Sequence, residues 1–185
     1  MSQSHKTILV TGASRSGKSE FAEILARKTR KPVTYVATAQ VNESDREWQA
    51  RIFKHQQRRP ANWKTLTANT ELSFCLEQAS ALECWLIDSL GTWVANFMES
   101  EQQEWSQISD RFLASLQDTA AEVILVGEET GWGIVPAYPS GRLFRDRLGY
   151  LSRQVSNIAE RTYLVAAGHA IDLSMLGEPL SKYGI

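Results

Sequence analysis

The sequence has little of what marks several common protein classes. It holds two cysteines, Cys75 and Cys84. They form no Cys-x-x-Cys pair and neither lies near a histidine cluster, so neither a zinc site nor a disulfide framework is indicated. Both read as small apolar core residues of a reducing compartment. No apolar run approaches the roughly 20 residues that span a bilayer. Met1 to Lys6 is too short and polar for a signal peptide. A soluble, cytoplasmic protein without stable membrane insertion is the expectation. Neither sign of charge is in excess: 20 Lys plus Arg oppose 21 Asp plus Glu, a formal net charge of −1. Nucleic acid is therefore not an expected partner, and any positive field must be local. Repeats, low-complexity tracts and linkers are also missing. The 185 residues, 43% hydrophobic and 22% charged, are ordinary for a globular protein. One domain over residues 1–185 is expected.

What is there alternates. Thr7 to Thr11 is a short, β-branched apolar run ending at Gly12, a buried strand entering a tight turn. Phe21, Ala22, Leu25 and Ala26 recur at helical spacing, so a helix runs from Lys18 to about Thr29. Val33 to Thr38 is a second strand, which makes a βαβ unit with parallel strands. Ser44 and Glu47 have capping-box spacing, which starts a helix that ends before Pro60. Trp63 to Thr67 is a short extended piece. Glu71 to Leu82 reads as a helix and Cys84 to Asp88 as a buried strand ending in a carboxylate. Helices follow at Thr92 to Met98 and Glu104 to Leu116, then a strand at Glu122 to Gly127. A turn-rich loop spans Thr130 to Gly141. Arg142 to Glu160 is a long amphipathic helix and Thr162 to Ala167 a last strand; signals beyond Gly168 are weak. The pattern is that of an α/β sandwich around a mostly parallel sheet.

Gly12-Ala13-Ser14-Arg15-Ser16-Gly17-Lys18-Ser19 matches Gly-x-x-x-x-Gly-Lys-[Ser/Thr]. The glycines let the backbone curl, so that successive N–H groups face phosphate oxygens. The helix that begins at Lys18 aims its positive end at the same anion. Lys18 is placed to reach the β- and γ-phosphates of a nucleoside triphosphate, and Ser19 to hold Mg²⁺ through its hydroxyl. The strand before and helix after supply the context this motif needs. Asp88 stands where the second, metal-assisting carboxylate of such enzymes sits; alternatively it caps the next helix.

Arg51-Ile52-Phe53-Lys54-His55-Gln56-Gln57-Arg58-Arg59 is strongly basic in a near-neutral chain. On a helix, Trp48, Ile52, His55 and Arg59 share one face. Two readings stand side by side. One is a solvated basic face with a hydrogen-bonded histidine. The other is a neutral, nucleophilic histidine among cations that stabilise phosphate.

Four separated segments resemble the bifunctional adenosylcobinamide kinase / adenosylcobinamide-phosphate guanylyltransferase family of cobalamin assembly. They are Val10 to Ser19, Tyr35 to Ala39, Arg51 to Trp63 with Arg59-Pro60-x-x-Trp63, and Gly131-Trp132-Gly133-Ile134-Val135-Pro136 followed by Arg142 to Asp146. The resemblance implies a P-loop NTPase-type three-layer sandwich, RecA-like. It implies phosphorylation of adenosylcobinamide by ATP or GTP, then attachment of GMP from GTP to give adenosylcobinamide-GDP. GMP is first carried on a histidine, here His55. With Lys18 as the other catalytic residue, nucleotide contacts fall on Gly12, Ala13, Ser14, Arg15, Ser16, Gly17, Lys18 and Ser19. The rest fall on Ala37, Thr38, Ala39, Gln56, Gln57, Arg58, Arg59 and Asp88. Mg²⁺ falls to Ser19 and Asp88, and a homotrimer is implied.

The chain departs from the family pattern at Ala13 and Ser14, at Thr67 where a Glu is frequent, and at Glu128 where an Asn is usual. Asp88 and Glu129 are the candidates for deprotonating the acceptor hydroxyl. The loop from Thr130 to Gly141 reads as a lid or corrinoid-facing segment, or as a stiffened surface connection. Arg142 and Arg145 read equally as phosphate ligands or as solvated residues near a helix start. A small-molecule kinase without guanylylation, in which His55 is structural, and a nucleotide-binding module without turnover are the competing functions.

Overall fold

The computed structural model describes residues 7–40, 49, 50, 53 and 56–184. Among these residues seven strands form one sheet: β1 (Thr7–Gly12), β2 (Val33–Ala37), β3 (Lys64–Thr67), β4 (Cys84–Asp88), β5 (Glu122–Glu128), β6 (Arg161–Ala166) and β7 (His169–Asp172). Their order is β3-β2-β4-β5-β1-β6-β7. All neighbours are parallel except β6 and β7. One strand, β5, therefore lies between the phosphate-loop strand β1 and the Asp88 strand β4, the RecA-like arrangement. The helices are α1 (Lys18–Lys28), α2 (Leu72–Glu77), α3 (Leu90–Ala95), α4 (Gln102–Asp118), α5 (Pro139–Ile158) and α6 (Leu173–Leu176). Residues 49, 50, 53 and 56–58 are also helical. The expected helix start at Ser44 and its residue His55 lie outside the described residues.

Strand alternation sorts the core into two layers. One face of the sheet carries Val10, Tyr35, Cys84, Leu86, Ile124 and Val126, packed with Ala22 and Ala26 of α1. The other carries Leu9, Val36, Trp85, Ile87, Val123 and Leu125, packed with α2, α3, α4 and α5. Both faces being covered is why the central strands read as near-continuous apolar runs. The expected three-layer sandwich with a mostly parallel sheet is what forms. Trp93 of α3 anchors the larger layer: it is fully buried and its ring meets Phe97, Trp105 and Phe112 at centroid distances of 5.1, 5.9 and 4.6 Å.

The strands fall where expected, but several helix ends do not. α2 stops at Glu77 rather than near Leu82. The Ala79 N–H turns back to Leu76 O, and Thr119 Oγ1 donates to the same oxygen, so tertiary bonding closes the helix early. α3 starts at Leu90, not Thr92, because Ser89 and Thr92 form a capping box. The cap is thus Ser89, which removes the reading of Asp88 as the cap. α5 starts at Pro139, inside the expected loop, because proline suits the first helical turn. The antiparallel β7 had no clear signal in the sequence.

Truncating the aromatic anchor leaves a large void that the sheet has no means to close. Trp93→Ala is expected to cost about 3–5 kcal/mol of stability, measured as a lowered urea midpoint.

Candidate functional site

Parallel strands end at one edge of the sheet, and the candidate residues gather there. Register pairs Gly12 with Glu128, and Ala37 with both Asp88 and Thr67. The C-terminal ends of β1, β2, β4 and β5 thus bring the phosphate loop, Ala37 to Ala39, Asp88, Glu128 and Glu129 together. Crevices at the carboxyl ends of the strands are where open α/β sheets bind ligands.

The loop is shaped by two glycines. A Cβ at Gly12 would overlap the carbonyl oxygen of Val165, so the backbone passes β6 without side-chain clearance. Gly17 takes φ 97, a left-handed conformation, directly before α1. Arg15 also sits at positive φ, 59. Ala13 and Ser14 are exposed, and Ser19 lies in the first turn of α1. Lys18 is buried and its ammonium donates to Ala13 O at 3.2 Å, inside the curl. Ser16 Oγ is buried beside Gly12 with no hydrogen-bond partner among the described residues. A buried orphan hydroxyl and a buried ammonium in a curled, glycine-edged loop fit an anionic guest.

Two acids at the end of β5 have separate partners. Thr11 Oγ1 donates to Glu129 Oε1 at 2.7 Å, and Glu129 N–H donates to Gly12 O at 3.0 Å, tying that acid to the root of the loop. Glu128 Oε2 accepts from Gly91 N–H at 2.8 Å. Burial pushes the Glu128 carboxyl above its ordinary range; a bond from Ser89 and the charge of Lys18 pull against that, and Asp88 adds to it. Asp88 Oδ2 accepts from Tyr35 OH at 3.0 Å. Burial and the Asp88 charge push the Tyr35 phenol up, so it remains a donor.

The basic segment reaches the site through its last residues. Arg58 pairs with Glu20 and, at 3.1 Å, with Glu23, both on α1. Glu23 is buried, and burial raises its carboxyl while Arg58 opposes that rise. The Arg59 guanidinium lies 3.3 Å from the Tyr35 ring centroid. Gln56 and Gln57 are exposed.

Other candidates have different tasks in this geometry. Thr38 is buried, and its hydroxyl donates to Ser89 O at 2.7 Å and accepts Ser89 N–H at 3.0 Å. That side chain holds the turn after β4, and Asn96 Nδ2 donates to the Thr38 carbonyl at 2.8 Å. Arg142 donates to Pro136 O and Ala137 O at 3.0 and 2.7 Å and braces the loop before α5. Arg145 has an ion pair with its neighbour Asp146 at 3.7 Å. The loop exposes Trp132, Ile134, Val135 and Tyr138. Tyr35, Glu23 and Glu128 were not singled out as site residues by spacing. Only strand parity, which puts Tyr35 on the α1 face, and the carboxylate pair Glu128-Glu129 hinted at them.

A carboxyl whose folded pKa is raised favours the fold below its ordinary range, and that contribution is lost as pH rises through the folded value. Glu128→Gln keeps an acceptor for Gly91 without the charge. It is expected to be more stable than the wild type at about pH 7.5 and to lose that advantage near pH 4, read from urea denaturation at both values.

The family model described as cobinamide kinase / cobinamide phosphate guanyltransferase matches residues 8–173. The bifunctional adenosylcobalamin biosynthesis protein CobP of Pseudomonas aeruginosa is 36% identical over 174 residues, 93% of this chain and 98% of that one. The bifunctional adenosylcobalamin biosynthesis protein CobU of Escherichia coli K12 is 33% identical over 181 residues, 90% of this chain and 98% of that one. A Pyrococcus horikoshii OT3 protein from a structural study shares the fold alone, with a TM-score of 0.55 at 7% identity over 91% of this chain and 86% of that one. The chain belongs to the cobinamide kinase / cobinamide phosphate guanyltransferase family.

Proposed function

We propose that this protein carries out both reactions of its family at one phosphate site. First, the γ-phosphoryl group of ATP or GTP passes to the hydroxyl of the aminopropanol arm of adenosylcobinamide. Then His55 attacks the α-phosphorus of GTP, pyrophosphate leaves, and GMP rests on the histidine. The phosphate of adenosylcobinamide phosphate next takes GMP from His55, giving adenosylcobinamide-GDP. Splitting one difficult transfer into two easier ones is the gain of a covalent carrier.

The observation that carries this reading is the convergence of the phosphate loop and Asp88 on one sheet edge in a chain of this family. Lys18 and the loop N–H groups offset charge on the triphosphate oxygens. Ser19 and Asp88 offer hard oxygen donors, a set that suits Mg²⁺. Bound there, Mg²⁺ would neutralise charge on the β- and γ-phosphates. Asp88 and Glu129, both at this edge, are the candidates for taking the proton of the acceptor hydroxyl. Arg58 and Arg59 fasten the end of the histidine segment to α1 and β2. The exposed apolar loop around Trp132 and Ile134 suits a large, flat corrinoid better than water.

In this reading the protein acts in the cytoplasm as a homotrimer. No described helix is long and apolar enough to cross a membrane. Exposed Met175, Leu176, Leu180 and Tyr183 are compatible with burial between subunits. Sedimentation at a single monomer mass would refute the trimer.

GTP labelled at the α-phosphate tests the central step. Wild-type protein is expected to retain label after denaturation, removed by acid and spared by alkali. His55→Ala is expected to abolish the label and leave phosphorylation of adenosylcobinamide within about threefold of wild type, a change under 1 kcal/mol. Label that survives the substitution refutes His55 as carrier. Wild type that takes no label leaves a kinase alone.

A further inference from the structure

Tyr35 is a buried residue of β2, 4% exposed. Its ring is held in the α1-side layer with Val33, Cys84 and Leu86. From that fixed place it touches two groups of opposite charge. Its hydroxyl donates to Asp88 Oδ2 at 3.0 Å, and the Arg59 guanidinium lies over its ring, 3.3 Å from the centroid. Arg59 Nε is buried with no hydrogen-bond partner among the described residues, so the ring face is a main constraint on that guanidinium. The two contacts reinforce each other. A phenol that donates to a carboxylate has a more electron-rich ring, and a richer ring binds a cation better.

We propose that Tyr35 is a positioning residue for both transfers, its hydroxyl orienting the Asp88 carboxylate and its ring placing the Arg59 guanidinium. The proposal rests on the two-step reading above. Asp88 serves the metal-assisted phosphate chemistry, and Arg59 closes the segment that carries His55. One side chain thereby contacts both Asp88 and the residue that ends the basic segment. Phenylalanine keeps the ring and loses the hydroxyl; leucine loses both. The two contacts are thus separable.

The experiment has two arms, run on wild type, Tyr35→Phe and Tyr35→Leu, with folding checked by thermal unfolding. GTP binding is titrated calorimetrically against Mg²⁺ and in EDTA. Tyr35→Phe is expected to raise the Mg²⁺ concentration for half-maximal GTP binding about tenfold, the size of one bond to a charged group, with binding in EDTA unchanged. Self-labelling by α-labelled GTP is timed at saturating Mg²⁺. Tyr35→Phe is expected to label slightly more slowly than wild type, by less than about twofold, and Tyr35→Leu about fivefold more slowly. Should Tyr35→Leu fail to fold, Tyr35→Met takes its place, its longer and more flexible side chain adapting to the gap. A Tyr35→Phe protein with wild-type or lower Mg²⁺ requirement overturns the role of the hydroxyl. Equal labelling rates for the phenylalanine and aliphatic variants overturn the role of the ring. A wild type that takes no label refutes the guanylylation reading instead, while the Mg²⁺ arm still judges the hydroxyl.

Discussion

The parallel register of β1, β2, β4 and β5 is the constraint on which the rest depends. Parallel strands end at the same edge, so residues far apart in the chain meet there without any long-range specification of their own. Gly12 stands opposite Glu128, and Ala37 opposite Asp88. Each strand is locked by alternating side chains buried on both faces. A slip of one residue would turn Tyr35 and Leu86 into the opposite layer and take Asp88 off the edge. Core packing and site geometry are therefore one requirement here.

At that edge, charge is balanced locally rather than globally. Lys18 faces the field of Glu128, Arg58 offsets the buried Glu23, and Tyr35 links Asp88 to Arg59. Buried charges persist only where such partners exist. The overall charge near zero thus hides a site built from opposed pairs, and the basic segment, which read either as a solvated face or as cations around a nucleophilic histidine, ends in two anchored arginines.

Much of this was legible in the sequence, for identifiable reasons. The central strands β1, β2, β4 and β5 declared themselves because both their faces are buried and their residues are apolar in nearly unbroken runs. The phosphate loop was legible because its glycines and Lys18 answer to local backbone geometry. What was not legible depends on tertiary partners. The early end of α2 requires Thr119, 43 positions from the Leu76 oxygen it bonds. The bonds of the Thr38 hydroxyl to the Ser89 turn, 51 positions away, are likewise invisible to spacing. Arg142 read equally as a phosphate ligand or a solvated residue; its bonds to Pro136 O and Ala137 O tie it to the loop before α5. The link through Tyr35 joins residues from β2, β4 and the basic segment, which no spacing rule connects.

The central claim is that a single phosphate loop serves two different transfers. Lys18→Ala tests it most directly, with two labels followed in parallel. Transfer from γ-labelled ATP or GTP to adenosylcobinamide and labelling of the protein from α-labelled GTP are both expected to fall at least about a hundredfold, the scale for losing one preorganised charge-stabilising group. A variant that loses one transfer and keeps the other at the wild-type rate would contradict the shared site.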